Sequence, residues 1–215
     1  MDGNAMFERL LWFIPVLLSL TVHEWAHAWT AWKLGDDTAK HMGRLTLNPL
    51  AHMDPIGTFL LPLMGVPFGW AKPVPVNPLR FKPGVTIRGG MLLVAVAGPI
   101  SNVCIAVASW LLLFIVVRTM PPGDHPELEG VIQFLVILVC INIGLATFNM
   151  IPIPPLDGSK IVDALVPDSA RPVWNQFSAL GPILLIALIL LPLLTGFSPI
   201  GEVINTVLRL VLSTL

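Results

Sequence analysis

Two histidines and a glutamate lie close together in an otherwise apolar stretch near the start of the chain, in the sequence TVHEWAHAW. If this stretch is helical, His23 and His27 are one turn apart and can bind one metal ion, with Glu24 beside them. In zinc hydrolases with this spacing the glutamate is not a ligand but takes a proton from water. The alternative is that the three side chains only pack or hydrogen-bond between helices. Ionisable residues inside a membrane cost about 2.5–3.5 kcal/mol each on insertion scales and usually mark functional sites, so we favour a metal site.

A catalytic zinc site typically has three protein ligands, so a third must come from elsewhere in the chain. Asp157 is the best candidate, because it follows NMIPIPPL at the end of an apolar run, where prolines stop the helix. The alternative role for Asp157 is to cap the helix that follows it. The rival ligands are His41, His52 and Asp54, for which a supporting contact or a solvated loop is the simpler interpretation.

Three asparagines lie in or beside apolar runs. Asn102 follows GPIS, and Asn149 precedes the proline-rich sequence before Asp157. Such an amide either makes an interhelical hydrogen bond or binds a peptide backbone and stabilises an oxyanion. We favour the functional role for Asn149, the structural one for Asn102, and a packing role for Asn142.

The composition indicates a membrane protein. Of 215 residues, 55 % are hydrophobic and only 12 % are charged, and the mean hydropathy is +0.81. A soluble domain has about 25 % charged residues. Twelve Lys and Arg against thirteen Asp and Glu give a net charge of −1, which argues against nucleic-acid binding. Cys104 and Cys140 lie in apolar runs and are interpreted as small hydrophobic residues.

A helix needs about 20 apolar residues to cross a bilayer. Four runs meet this length: 10–32, 91–117, 131–151 and 177–195. The first has no cationic leader or cleavage site and is interpreted as a retained span rather than a signal peptide. Residues 56–70 are too short and too rich in Gly and Pro, so they predict a re-entrant element, with a short kinked span as the alternative. Residues 199–215 form either an interfacial helix or a last span with its polar stripe inward.

Loop charges predict the orientation. The 71–90 loop has four basic residues and no acid, whereas 119–130 has three acids and no base. The first loop is therefore expected in the cytoplasm, with the metal site on that side. Stretches 44–50 and 68–77 alternate apolar with polar or small residues and contain prolines, which predicts short edge strands. The predicted fold is a membrane α-helical protein of about four to six transmembrane helices with a re-entrant element and short edge strands. It forms a single domain over 1–215.

HEWAH, AGPISN and NMIPIPPLDG occur in that order, and they resemble the site-2 protease family of intramembrane zinc metalloproteases. The resemblance covers residues 10–165, the expected catalytic core, with C-terminal helices over 177–215. GRLTLNPLAHMDPIGT followed by FGWAKPVPVNP is similar to the compact bacterial-type branch. The resemblance implies that these residues form a small sheet and a re-entrant loop, which present an unwound substrate strand to the metal. No PDZ-like insertion or following soluble domain is expected.

The resemblance implies a role for each candidate residue. It makes His23, His27 and Asp157 zinc ligands and Glu24 the catalytic base. It places Asn149 and Pro152 in a loop that engages substrate, and Asn102 is kept with them as a candidate substrate-binding residue.

The expected function is hydrolysis of a peptide bond in or near the transmembrane segment of a single-span membrane protein, as in regulated intramembrane proteolysis. The expected location is the bacterial cell (inner) membrane, with the lipid bilayer as a partner and no nucleic acid. The oligomeric state stays open. The alternatives are a membrane metal-ion transporter or channel using the same His/Asp cluster, and a silent scaffold that keeps zinc for folding. No internal repeat supports a transporter, and a structural zinc site has no need of a base such as Glu24.

Overall fold

The computed structural model describes residues 3–60, 71–120 and 125–213, and within them the protein is helical. Eight α-helices occur in this part of the chain. They are α1 (Gly3–Lys33), α2 (Thr38–His41), α3 (Ile87–Thr119), α4 (Pro126–Asn149), α5 (Asp157–Leu165), α6 (Arg171–Ala179), α7 (Gly181–Thr195) and α8 (Pro199–Leu212). Pro49–Ala51, Pro78–Arg80 and Asp168–Ala170 are single 3₁₀ turns, and Pro55–Leu60 is a wider, π-type turn.

Helix α3 is the centre of the fold, because α1, α4 and α5 all pack against it, and α4 also contacts α1 and α8. Small residues make close packing possible where α1 meets α3. Ala28 and Ala31 on α1 and Ala95 on α3 are fully buried, and Gly98 lies one turn further along α3. Helices in a membrane associate closely through such small residues, since no hydrophobic driving force acts between them there.

Two of these helices, α3 and α4, are long and apolar enough to cross a membrane. A third span is possible if α6 and α7 count as one, although they are bent by 54° relative to each other. The predicted run 10–32 lies inside the 31-residue helix α1. The protein is thus a helical membrane protein with two or three such helices in its described part, and four to six spans stays a prediction.

The run 177–195 is not one continuous helix, contrary to the prediction. The helix is interrupted at Leu180 between α6 and α7, where Pro182 begins the new helix without an N–H to continue the old one. Gly181 fits tightly at this point, because a Cβ there would lie 2.6 Å from Pro154 Cβ. The break therefore seats α7 against the loop that precedes α5.

The predicted edge strands over 44–50 and 68–77 are wrong for the residues that the structure describes. Residues 44–50 form bends and a 3₁₀ turn, and 71–77 are irregular without a strand partner. Pro73 and Pro75 have no N–H, so a ladder of backbone hydrogen bonds cannot continue past them. Residues 68–70, and most of the predicted re-entrant element over 56–70, lie outside the described residues.

Helix α8 confirms the predicted helix in 199–215 up to Leu212. Its residues Glu202, Asn205 and Arg209 are exposed, whereas Ile204 faces Gly144 of α4. The polar stripe does not pack inward, which favours the interfacial interpretation over the last-span one.

Candidate metal centre

Three potential metal ligands come together at the junction of α1, α3 and α5. Asp157 Oδ2 lies 3.1 Å from His23 Nε2 and 3.1 Å from His27 Nε2, and the two Nε2 atoms are 3.0 Å apart. All three residues are at most 6 % exposed. The spacing of four residues along α1 places both imidazoles on one face, as predicted, and α5 brings Asp157 to them from 130 residues away.

The other ring nitrogens determine which tautomer each histidine has. His23 Nδ1 lies 2.6 Å from Asn102 Oδ1, and His27 Nδ1 lies 2.7 Å from the Val94 carbonyl oxygen. Both of these oxygens accept hydrogen bonds, so each Nδ1 carries the proton and donates. The neutral rings therefore present bare lone pairs at both Nε2 atoms.

This donor set fits a zinc ion. Three lone-pair atoms, one of them a carboxylate oxygen, meet at 3.0–3.1 Å in a buried place, and they repel one another unless a cation lies between them. Two atoms bound to one zinc ion at about 2.0–2.1 Å with tetrahedral angles are about 3.3 Å apart. Imidazole and carboxylate are also the usual ligands of catalytic zinc.

A chain of amides fixes the orientation of Asn102. Its Nδ2 donates to Asn142 Oδ1 at 2.8 Å, and Asn142 Nδ2 donates to the Leu138 carbonyl at 2.9 Å and to Ser19 Oγ at 2.8 Å. A backbone carbonyl can only accept, so it fixes Asn142, then Asn102, and finally the His23 tautomer. This series of hydrogen bonds connects α4 through α3 to α1. The hydrogen bonds of Asn102 are the interhelical contacts that its structural interpretation describes, and Asn102 and Asn142 are both fully buried. A contact between Asn102 and substrate stays a prediction.

Two glycines allow the ligands to meet. A Cβ on Gly98 would lie 2.4 Å from His27 Nε2 and 2.6 Å from His23 Cε1, so only glycine lets α3 approach the rings. A Cβ on Gly158 would lie 2.3 Å from the Met150 carbonyl oxygen. Glycine at 158 therefore lets the loop after α4 fold back over the start of α5.

Asp157 is the first residue of α5 and makes no capping hydrogen bond, so the cap interpretation is not supported. While Oδ2 faces the histidines, Oδ1 accepts a hydrogen bond from Lys160 Nζ at 2.9 Å. Lys160 lies three residues along the same helix, and its ammonium group keeps one carboxylate oxygen turned away from the centre. The sequence alone did not single out Lys160.

Glu24 lies beside the ligands and is half-buried. Its Oε2 accepts a hydrogen bond of 2.9 Å from the backbone N–H of Val74. The base that the sequence predicts is thus held by the irregular segment that follows the undescribed residues 61–70.

The rival ligands lie elsewhere. His41 is exposed and pairs with Asp37 at 2.7 Å, and Asp54 Oδ1 accepts from Gly57 N at 2.7 Å within its own turn. His52 is 1 % exposed, so the solvated-loop interpretation is wrong for it. Its Nε2 donates to the Thr46 carbonyl at 2.8 Å.

Asn149 and Pro152 border the turn between α4 and α5. Asn149 Nδ2 donates to the Leu145 carbonyl at 3.0 Å. Pro152 is exposed and lines an apolar cavity of about 450 Å³ together with residues of α5 and α6. Neither is brought into contact with the three ligands by an observed hydrogen bond, and their role in substrate binding stays a prediction.

The fold and this centre define a helical membrane protein with a buried three-ligand metal site. The sequence model of peptidase family M50 matches residues 115–192. A protein of Bacillus subtilis, YwhC, is 42 % identical over 180 residues, which are 84 % of this chain and 80 % of that protein. Rip2 of Mycobacterium tuberculosis H37Rv is 30 % identical over 184 residues, 84 % of this chain and 67 % of Rip2. Each of the two is named "Putative zinc metalloprotease".

The chain therefore belongs to peptidase family M50, the site-2 protease family. This confirms the resemblance that the sequence motifs carry. No solved structure matches the chain.

Proposed function

We propose that this protein is an intramembrane zinc metalloprotease that hydrolyses a peptide bond in or near the transmembrane segment of a membrane protein. The observation that carries the proposal is the convergence of three lone pairs from His23, His27 and Asp157, beside a glutamate on the same helix turn. Family membership supports the reaction class, and the names of YwhC and Rip2 support zinc as the metal.

A zinc ion held by these three residues would supply Lewis-acid activation of water and of the scissile carbonyl. Glu24 accepts the proton of the attacking water and donates it to the nitrogen of the leaving amine. The hydrogen bond from Val74 N–H to Oε2 fixes the orientation of the carboxylate, and we assign the proton transfer to Oε1. Asn102 and Val94 hold the imidazoles in the tautomer that exposes Nε2.

A single-span membrane protein is the proposed substrate class. A helical substrate must unwind before cleavage, because its amides are hydrogen-bonded internally and sterically hidden. Asn149 and Pro152, at the turn between α4 and α5, are the proposed substrate contacts.

We place the protein in the cell membrane with its metal centre towards the cytoplasm. His27 lies six residues before the end of α1, and Val94 and Gly98 lie near the start of α3. Both helices reach the 71–90 loop at this end, where four basic residues occur without an acid. Such an excess of basic residues is typical of cytoplasmic loops.

The direct test is cleavage of a panel of single-span proteins by the purified protein in lipid vesicles, comparing wild type with Glu24→Gln. We expect wild type to cleave and Glu24→Gln to lose at least about 100-fold in kcat, the usual contribution of a general base. Both should retain one zinc ion per chain. A chelator should stop wild-type cleavage, and added zinc should restore it.

Glu127→Gln is the matched control, because Glu127 is an exposed acid in the first turn of α4, away from the centre. It should cleave at the wild-type rate. Wild-type turnover by Glu24→Gln would overturn the mechanism. Zinc flux through sealed vesicles without any cleavage would favour the transporter alternative instead.

A further inference from the structure

Residues 71–77, AKPVPVN, form an irregular segment that reaches Glu24, and we call it the proline segment. Three of its backbone N–H groups have acceptors on three different parts of the chain. Lys72 N donates to the His52 carbonyl at 2.9 Å, Val74 N to Glu24 Oε2 at 2.9 Å, and Asn77 N to Asp36 Oδ2 at 2.6 Å. The segment is therefore positioned by separate anchors and not by a sheet.

At Lys72, both the backbone N–H and the backbone carbonyl are hydrogen-bonded to other parts of the protein. Its N–H is bound by the His52 carbonyl, and its own carbonyl accepts a hydrogen bond from Arg44 Nη2. Arg44 and His52 are only 6 % and 1 % exposed, and we call the pair the Lys72 clamp. Both belong to GRLTLNPLAHMDPIGT, the motif to which the proposed reaction assigns no task.

One protonation state of His52 satisfies all its contacts. Nε2 donates to the Thr46 carbonyl at 2.8 Å, which leaves a lone pair on Nδ1, and Arg44 Nη2 lies 3.4 Å from that atom. The neutral ring thus supports the guanidinium from the side, while the guanidinium holds Lys72. The clamp is a connected set of hydrogen bonds in a buried place.

Burying Arg44 is costly, and the cost is only partly compensated. Arg44 Nε has no hydrogen-bond partner in the part of the chain that the structure describes, and a buried polar atom without a partner destabilises the fold. Burial lowers the pKa of the guanidinium, and the Glu24 carboxylate acts in the opposite direction. Arg44 and Glu24 therefore attract each other, although the proline segment makes the direct contact.

The geometry points to Arg44 and His52 as positioning residues for Glu24, which act through the backbone from Lys72 to Val74. Lys72 and Val74 each precede a proline, which restricts them to extended backbone, and Pro73 between them has a fixed φ. A clamp on Lys72 therefore determines where the Val74 N–H points. That N–H holds Oε2 of Glu24 and so sets the direction of Oε1, to which we assign the proton transfer. The inference rests on the proposed function, since only a reacting Glu24 needs this precision.

The test compares Arg44→Gln and Arg44→Lys with Arg80→Gln as the matched control. Arg80 is an arginine of the same connection between α1 and α3, but it is exposed and pairs with Asp37 on the surface. Two quantities are measured in lipid vesicles: the kinetics of cleavage, and hydrogen exchange of the Lys72 and Val74 amides. Zinc content and exchange in α3 and α4 report whether the fold is intact.

We expect Arg44→Gln to lower kcat about 100-fold with little change in KM, the effect of a misplaced catalytic group. The Lys72 and Val74 amides should exchange about tenfold faster, since one anchoring hydrogen bond is lost. Zinc content and exchange in α3 and α4 should stay at wild-type values. Arg44→Lys should recover most of the kcat, because lysine can still donate to the Lys72 carbonyl and lacks the unpartnered Nε. Arg80→Gln should match wild type.

Two results overturn the inference. One is a loss of kcat in Arg44→Gln without faster exchange at Lys72 and Val74, and the other is faster exchange without a loss of kcat. If Arg44→Gln does not fold, Arg44→Lys and Glu24→Ala decide. Glu24→Ala should speed exchange at Val74 about tenfold and leave Lys72 unchanged, and an unchanged Val74 would contradict the link.

The exchange measurements do not depend on cleavage. If wild type cleaves nothing, the proposed function fails, yet faster exchange in Arg44→Gln and Glu24→Ala still shows the clamp. If wild type cleaves but these amides do not respond, the clamp fails and the proposed function stands.

Discussion

The chemistry of each histidine in the metal centre is determined by what its second ring nitrogen touches. A neutral imidazole can offer Nε2 to a metal only when Nδ1 carries the proton. Here the Nδ1–H of His23 donates to the amide oxygen of Asn102, and the Nδ1–H of His27 donates to the backbone carbonyl of Val94. His23 depends on a side chain, Asn102, whereas His27 depends on the backbone at Val94. A substitution can therefore remove the hydrogen-bond acceptor of His23, whereas the acceptor of His27 is part of the backbone and remains.

Asn102→Leu should weaken zinc binding. The change removes the acceptor for His23 Nδ1 and leaves a buried N–H without a partner, so the ring is free to turn or change tautomer. The loss of such a supporting contact typically lowers metal affinity about 10- to 100-fold. Competition with a chromophoric chelator measures this. Ser109→Ala, at another buried polar position of α3, should keep wild-type affinity, and equal affinity in Asn102→Leu would contradict the role given to the amide chain.

His52 makes stability depend on pH in a specific direction. Burial holds its pKa below the ordinary 6.5, against the opposing effect of the hydrogen bond to Thr46. The folded state therefore favours the neutral ring, and this contribution is complete above about pH 6.5 and is lost as the pH falls below that value. His52→Gln, which is neutral at every pH and keeps a donor and an acceptor, should lose less stability than wild type between pH 7 and 5.

Thermal unfolding at constant zinc concentration measures the effect of His52→Gln, and the responses of the metal-binding histidines cancel in the comparison with wild type. His41→Gln is the control, because His41 is exposed on α2 and pairs only with Asp37. It should not reduce the acid-induced loss. An identical pH dependence in wild type and His52→Gln would show that His52 does not titrate on unfolding.

At the scale of elements, helix α3 packs against both histidine ligands and holds them in position. Gly98 brings its backbone against both rings, and Val94 and Asn102 on the same face hold them in place. Composition and length predict the helices, because a bilayer requires long apolar runs. Prolines account for both the helix break at Leu180 and the absence of the predicted edge strands. The sequence shows where the prolines are, but it does not show which helix or strand each of them interrupts.

Gly98→Ala should prevent metal binding while the helices remain. Its Cβ would lie 2.4 Å from His27 Nε2, so α3 must move away or the rings must turn. We expect the zinc content of the purified protein to fall at least about tenfold, because the ligands and their supports separate together. The helical signal in circular dichroism should be unchanged.

Gly144→Ala is the control for Gly98→Ala. It places the same methyl group on α4, where the nearest atom is Ile204 Cδ1 at 3.8 Å, an ordinary contact. Its zinc content should match wild type. If both variants lose zinc equally, the close approach of α3 to the rings is not the cause.

At the scale of the whole molecule, the metal centre combines residues that are close together in the sequence with residues that are far apart in it. The spacing of His23, Glu24 and His27 is local, so the sequence alone predicts it, and Asp157 follows from the need for a third ligand. The Lys72 clamp has no such signal, because Arg44 meets a carbonyl 28 residues away, and nothing in the residue types indicates that pairing. What the sequence misses is therefore the support around the ligands and the base.

The orientation in the membrane gives the last prediction. Helices α1 and α3 bring the metal centre to the end of the molecule that carries the basic 71–90 loop, and the start of α4 lies at the opposite end. Lys40 and Glu127, both exposed, mark the two ends. In a chain with Cys104 and Cys140 replaced by alanine, Lys40→Cys and Glu127→Cys can be treated with a membrane-impermeant thiol reagent.

In intact cells, Glu127→Cys should be labelled, and Lys40→Cys only after the membrane is permeabilised, because basic loops are retained in the cytoplasm. The chain without cysteines should give no signal in either condition, which controls for reaction elsewhere. Labelling of Lys40→Cys from outside the cell would place the metal centre, together with Glu24, at the external face of the membrane. The acidic start of α4 would then be cytoplasmic, and any substrate would have to present its cleavage site from the outer side.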